Sequence, residues 1–135
     1  AGKIHAEDQI GARCAAGYLT HTGTDGSRIG DRIARTGWNV NGGGENLACG
    51  HVTAEQVVQA WMDSPGHRGN LLNPLWTHIG VYAINYENQP GPQAGWAGYY
   101  WAQIFGMDPC PVPVENACRG YWRDGVRLDG NGNPI

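Results

Sequence analysis

Three side chains able to bind a ligand or move a proton lie where the sequence changes character. His21 stands in "LTHTGTDGS", Glu45 ends the glycine run of "GGGENLACG", and His67 lies within "SPGHRGN". Loops and element ends are where side chains from distant parts of a chain converge into a cleft. Two imidazoles and one carboxylate offer two chemistries. They can hold one divalent metal, zinc foremost, with His21 and His67 as nitrogen donors and positions left for water. They can also act without metal as a general acid–base set of His21, Glu45 and His67. A structural reading stands beside these: a helix-start histidine is often a surface group, and a glutamate in a tight loop often caps backbone N–H groups. A glycine run ahead of a helix commonly cradles phosphate. This run delivers a carboxylate, which a phosphate would repel.

Other chemistries find little support. No HExxH pattern of the helical zinc proteases is present, and no G-x-S-x-G nucleophile elbow. The cysteines are Cys14, Cys49, Cys110 and Cys118, and none forms a C-x-x-C pair. Four cysteines allow three connectivities. The short "CPVPVENAC" loop favours Cys110–Cys118, which leaves Cys14–Cys49, so a cysteine nucleophile is a poor reading. The even count, few lysines and abundant Trp and Gly fit a secreted protein, with Ala1 as a mature N-terminus after signal removal. The net charge of −3 with no basic run argues against nucleic acid. No apolar run approaches the ~20 residues of a membrane span. In the tail, Asp129, Asn131 and Asn133 have the alternate spacing of a calcium loop, but the required ligand count is missing, so a turn is expected.

The elements that must place these residues follow from periodicity. Residues 4–19 read as a helix with Ala6, Ile10, Cys14 and Tyr18 on one face. A loop over 20–27 carries His21. A second helix over 27–36 has Ile29 and Ile33 on one side and Gly37 as its stop. "GWNVN" reads as a short strand. Residues 53–64 form the clearest helix, with a Thr53/Gln56 capping box and a stripe of Val57, Val58 and Trp61. Ser64 and Pro65 start another helix over 64–73. "HIGVYAINY" and "AGYYWAQIFG" are strands that pair antiparallel across a turn-rich connection; the first is apolar on both faces and is expected to be covered on both. Helices followed by a hairpin predict an α+β chain, a three-layer α/β/α sandwich with a central antiparallel sheet. Trp61, Ile79, Val81, Trp101 and Ile104 are its expected core. Residues 1–106 form the domain, and 107–135 a loop-rich, disulfide-stapled extension.

The set "HTGTDGSRIGDRI", "GGGENLACG", "AEQVVQAWMDSPGHRGNLLNPLWTHIGV" and "YYWAQIFG" closely resembles the CAP superfamily in its compact bacterial form. These are the secreted cysteine-rich, antigen 5 and pathogenesis-related-1 proteins. The resemblance implies an open cleft lined by His21, Glu45 and His67. There the histidines bind zinc or another divalent ion, and Glu45 orients its water. It implies an extracellular module for a hydrophobic or extended ligand, a lipid, sterol or peptide, or a protein partner. A metal-assisted or His/Glu-dependent hydrolase and a structural surface module are the alternatives. It implies too that the glycines let the backbone turn sharply, so that Glu45 faces the cleft. Ser64 stands where the family places a second glutamate, with Asp63 beside it. Set against the family pattern, the chain is expected to lack most of the usual longer N-terminal helix. His78, on a strand, reads as a surface or packing residue rather than a ligand.

Overall fold

The structure, a computed structural model, describes residues 1–10, 14, 19–38, 40–85 and 98–107, and the backbone of 121–123 and 126–128. Cys110, Cys118, Asp129, Asn131 and Asn133 lie outside the described residues, as does Tyr18. In chain order come α1 (Gly2–Gln9), α2 (Ile29–Ala34), β1 (Gly42–His51), α3 (Ala54–Asp63), α4 (Pro65–Leu71), β2 (His78–Asn85) and β3 (Tyr99–Met107). Two short strands, β4 (Tyr121–Arg123) and β5 (Val126–Leu128), pair with each other. The main sheet is antiparallel in the order β1-β3-β2, so the expected β2/β3 pairing holds and β3 is central.

Adjacent residues on a strand face opposite sides of the sheet, and this splits the core in two. Leu47, Tyr100 and Ala102 pack with Ala6, Ile10 and Cys14, flanked by Tyr82 and Ile84. Their neighbours on the other face, Ala48 and Trp101, pack with Val57, Trp61 and Leu71. Helices therefore cover both faces, α1 and α2 on one and α3 and α4 on the other, which is the expected α/β/α layering. The Cys14–Cys49 disulfide ties the residues following α1 to β1, with Cα atoms 6.0 Å apart.

Helix starts follow the local chemistry. Thr53 caps α3, its hydroxyl accepting from the Gln56 N–H at 3.2 Å, while the Gln56 side chain accepts from Val52 N at 3.0 Å rather than from Thr53 N. Pro65 opens α4, but the Ser64 side chain makes no cap hydrogen bond. Gly37 ends the α2 turn at φ +80°, where a side chain would be strained. On α3, Val57 and Trp61 lie one turn apart and are buried. Val58 is rotated off that face and exposed.

Several expectations are corrected. "GWNVN" is not a strand: Trp38 and Val40 are in irregular backbone. The longest strand is instead β1, which begins in the glycine run. None of Gly42, Gly43 and Gly44 has positive φ, so the run is extended backbone and not a sharp turn. Its glycines permit close approach. A Cβ on Gly43 would lie 3.0 Å from Ile33 Cδ1, and one on Gly44 would lie 2.8 Å from the Trp76 ring. Trp61 and Ile104 are buried as expected and Trp101 is half-buried, but Ile79 and Val81 are 59% and 58% exposed. The reason is topological. β2 is an edge strand among the described residues, and α3 and α4 pack on β1 at the opposite edge, leaving this part of β2 uncovered.

The β1 edge is closed by side chains. Trp61 Nε1 donates to Leu47 O at 3.1 Å, and Asn70 Nδ2 donates to Glu45 O at 3.2 Å. Helix side chains thus occupy strand carbonyls that would otherwise invite another strand.

Two predictions follow from this packing. Trp61→Ala should lower unfolding free energy in urea by roughly 3–5 kcal/mol, and a loss below ~1 kcal/mol would contradict the burial. Gly44→Ala should destabilise by about 1–3 kcal/mol through overpacking against Trp76. Gly30→Ala, where an added Cβ meets nothing within 4 Å on α2, should stabilise by about 0.5–1 kcal/mol. Equal effects at the two glycines would refute the close-approach account.

Candidate functional site

Glu45 lies in β1 opposite Ile104 of β3, with its side chain 2% exposed. A carboxylate cannot stay ionised in such a place without donors, and two elements supply them. Arg32 of α2, itself buried, donates from Nη2 to Glu45 Oε2 at 2.8 Å. The His21 ring approaches Oε1 through Nδ1, also at 2.8 Å. Burial pushes the Glu45 carboxyl up. The His21 hydrogen bond, the Arg32 charge and the nearby His5 together outweigh it and hold the group below its ordinary range.

His21 is set in its loop by the same residues. Arg32 Nη1 donates to Ser27 O at 2.8 Å and Nη2 to His21 O at 3.2 Å, so one guanidinium fastens both ends of the loop and the carboxylate. A carboxylate only accepts, so Nδ1 of His21 carries the proton and Nε2 is the nitrogen left for a ligand. The Glu45 hydrogen bond raises the His21 pKa, against the smaller opposing effect of burial. The ring itself remains largely solvent-facing.

His67 is half-buried on the third turn-position of α4, across the β1 edge. A chain of amides places it. Asn46 Nδ2 donates to His67 O at 3.1 Å and to Gln103 Oε1 at 3.0 Å, while Asn70 Nδ2 donates to Asn46 Oδ1 at 2.9 Å. Burial lowers the His67 pKa, and the charge of His21 lowers it further. His67 lines a cavity of about 320 Å³ with Leu19, Leu47, Trp61 and Ser64, walled on one side by the Cys14–Cys49 bridge.

Of the three residues singled out by the sequence, His21 and Glu45 are in direct contact. His67 makes no hydrogen bond or ion pair with either and lies across β1 from them, linked to their strand through Asn46. Among the described residues, no three His, Cys, Asp or Glu side chains gather as a metal-ligating set. Asp63 does not replace the missing glutamate: it is exposed and accepts from Gln59 Nε2 at 2.8 Å. His78 packs edge-on against Trp38 with ring centroids 4.6 Å apart, as expected of a packing residue.

Sequence reasoning missed Arg32 and His5, both fully buried here. The signal for each was a charged or titratable residue beside a periodic apolar one, Ile33 and Ala6, on the buried side of a short helix.

A model of the CAP family, described as the cysteine-rich secretory protein family, matches residues 3–105. The chain is 45% identical over 88 residues to the uncharacterized protein YkwD of Bacillus subtilis (strain 168), covering 65% of this chain and 30% of that protein. It is 34% identical over 64 residues to the uncharacterized membrane protein YlbC of the same organism, covering 47% of this chain and 18% of that protein. The chain thus spans less than a third of the length of these curated relatives. Among solved structures, it is similar to an extracellular protein containing a SCP domain from Bacillus anthracis str. Ames, with TM-score 0.60 and 27% identity over 79% of this chain and 30% of that one. It is also similar to an outer surface protein from Borrelia burgdorferi, with TM-score 0.62 and 25% identity over 80% of this chain and 71% of that one. No helix among the described residues is long and apolar enough to cross a membrane. With the family pattern matched over most of its length and the helix-covered antiparallel sheet in place, this chain belongs to the CAP family, the cysteine-rich secretory proteins.

Proposed function

We propose that this chain is a secreted binding module whose cavity beside β1 takes a hydrophobic or extended ligand, with His21, Glu45 and His67 as its polar, metal-capable end. The observation that carries the reading is the locked His21–Glu45–Arg32 cluster together with an apolar cavity of about 320 Å³ lined by His67, by Leu47 of the strand that carries Glu45 and by Leu19, two residues before His21. That volume is at the lower end for small-molecule sites, which pair apolar walls with a few placed polar groups. The solved neighbours, named as extracellular and outer surface proteins, support a place outside the cytoplasm.

Two imidazole donors would make a weak divalent site. His21 has one ring nitrogen bonded to a carboxylate, the outer-shell arrangement that orients a ligating imidazole. His67 is the second donor, and water would complete the shell. When bound, zinc would supply Lewis-acid polarisation of a ligand oxygen. This chain's residues do the rest. Glu45 fixes the His21 tautomer, Arg32 keeps Glu45 ionised, and Leu19, Leu47 and Trp61 exclude water from the apolar part. The same His–carboxylate pair would suit a hydrolase, but both cysteines at the cavity are oxidised, and its one hydroxyl there, Ser64, heads α4 with no hydrogen bond to either histidine.

Proton competition gives the sign of the test. A ligating imidazole must be neutral. His67 has a lowered pKa and stays neutral to lower pH, whereas His21 has a raised one and takes up a proton first. Zinc affinity of chelator-free protein, followed by calorimetry, should therefore begin to fall above the ordinary histidine value of about 6.5, at the raised value of His21. It should be lost in the His21→Ala/His67→Ala variant. Undiminished binding in that variant would place any metal on other residues.

A further inference from the structure

We infer that His5 is a positioning residue for His21, an inference that rests on His21 being the working imidazole of the site proposed above. His5 lies in α1 and is 0% exposed. Its Nε2 lies 2.8 Å from the backbone oxygen of Thr20, the residue before His21. A carbonyl only accepts, so Nε2 carries the hydrogen. Nδ1 is then a lone pair, buried with no hydrogen-bond partner.

A buried imidazole with one nitrogen unsatisfied is a poor core residue, since an aliphatic side chain would fill the space without that cost. The Thr20 bond is what such a side chain would lack. It matters because the loop holds His21 at three points from three elements. His5 of α1 takes the carbonyl before it, Arg32 of α2 takes its own carbonyl at 3.2 Å, and Glu45 of β1 takes its ring at 2.8 Å. The His21 side chain is 63% exposed, so packing does little to hold it, and its rotamer must be fixed by hydrogen bonds.

His5 also lies 3.9 Å from Glu45 Oε1, too far for a hydrogen bond, so its tie is to the loop and not to the carboxylate. A second bond from the same helix backs this up: Asp8 Oδ2 accepts from Thr24 N at 2.9 Å, and Asp8 Oδ1 accepts from the Thr24 hydroxyl. Helix α1 is therefore a second anchor of the His21 loop, beside Arg32 of α2. Burial, with the Arg32 charge acting the same way, outweighs the raising effects of the Glu45 charge, the Thr20 hydrogen bond and the Asp8 charge, and holds the His5 pKa below its ordinary value.

The test uses metal-free, nitrogen-15-labelled protein and imidazole correlation spectra. In the wild type, His5 should be the Nε2–H tautomer, and His21 should titrate above 6.5. In His5→Leu, the His21 midpoint should fall back toward that value, and zinc affinity should drop about tenfold, as for loss of an outer-shell partner. In His5→Gln, whose amide nitrogen reaches the same place, both should be largely restored; a merely space-filling role would not be rescued in this way. An Nδ1–H tautomer in the wild type, or an unchanged His21 midpoint in folded His5→Leu, would overturn the inference. Should His5→Leu not fold, His5→Gln decides, since loss of the raised His21 midpoint there has the same force. If zinc binds none of these proteins, the metal reading falls, while the His21 titration still judges His5.

Discussion

A negative charge sits on a covered face of the sheet, and much of the site is arranged to keep it there. Glu45 is nearly inaccessible, and a carboxylate so placed must be met by donors or take up a proton. Arg32 and His21 meet it from two other elements, and the same Arg32 reaches the carbonyls of Ser27 and His21. One ionised group thereby fixes the approach of α2 to β1 and the path of the loop between α1 and α2. Such pairs seldom add net stability over a well-packed apolar core, but they define one arrangement, because removing either partner leaves a buried charge alone.

The opposite face at the same level of the sheet is organised differently. Asn46, next to Glu45, points the other way and enters an amide chain with Asn70 and Gln103 that places His67. Consecutive residues of one strand thus address two helical layers, and the cavity beside β1 has walls from both. The glycines just before them make this geometry possible. At Gly43 a side chain would crowd Ile33 and at Gly44 it would collide with Trp76, so bare backbone lets α2 and the segment after α4 press close to β1 where the polar groups begin.

What the sequence made legible follows from which forces are local. Helix α3 announced itself through Thr53, Gln56, Val57 and Trp61, since capping and an apolar stripe are properties of a few neighbouring residues. His21 and Glu45 stood out because they are ionisable groups at element ends, in segments that match a family pattern. Strand β1 did not, because three glycines carry no β-propensity and the strand exists through its ladder with the distant β3. The exposure of Ile79 and Val81 was equally hidden, since which edge of a sheet a helix pair covers is a matter of topology. Arg32 and His5 look like ordinary helix residues until the carbonyls they serve are placed beside them.

The coupling between Glu45 and Arg32 is the claim on which the rest stands, and a double-mutant cycle measures it. Arg32→Met leaves Glu45 buried without its cation, and Glu45→Leu leaves Arg32 without its anion. Each should cost about 3–5 kcal/mol of unfolding free energy. The double variant Arg32→Met/Glu45→Leu should cost far less than the two together, because no uncompensated charge remains. Single losses below ~1 kcal/mol, or a double variant whose cost equals the sum of the singles, would show that this ion pair does not organise the site.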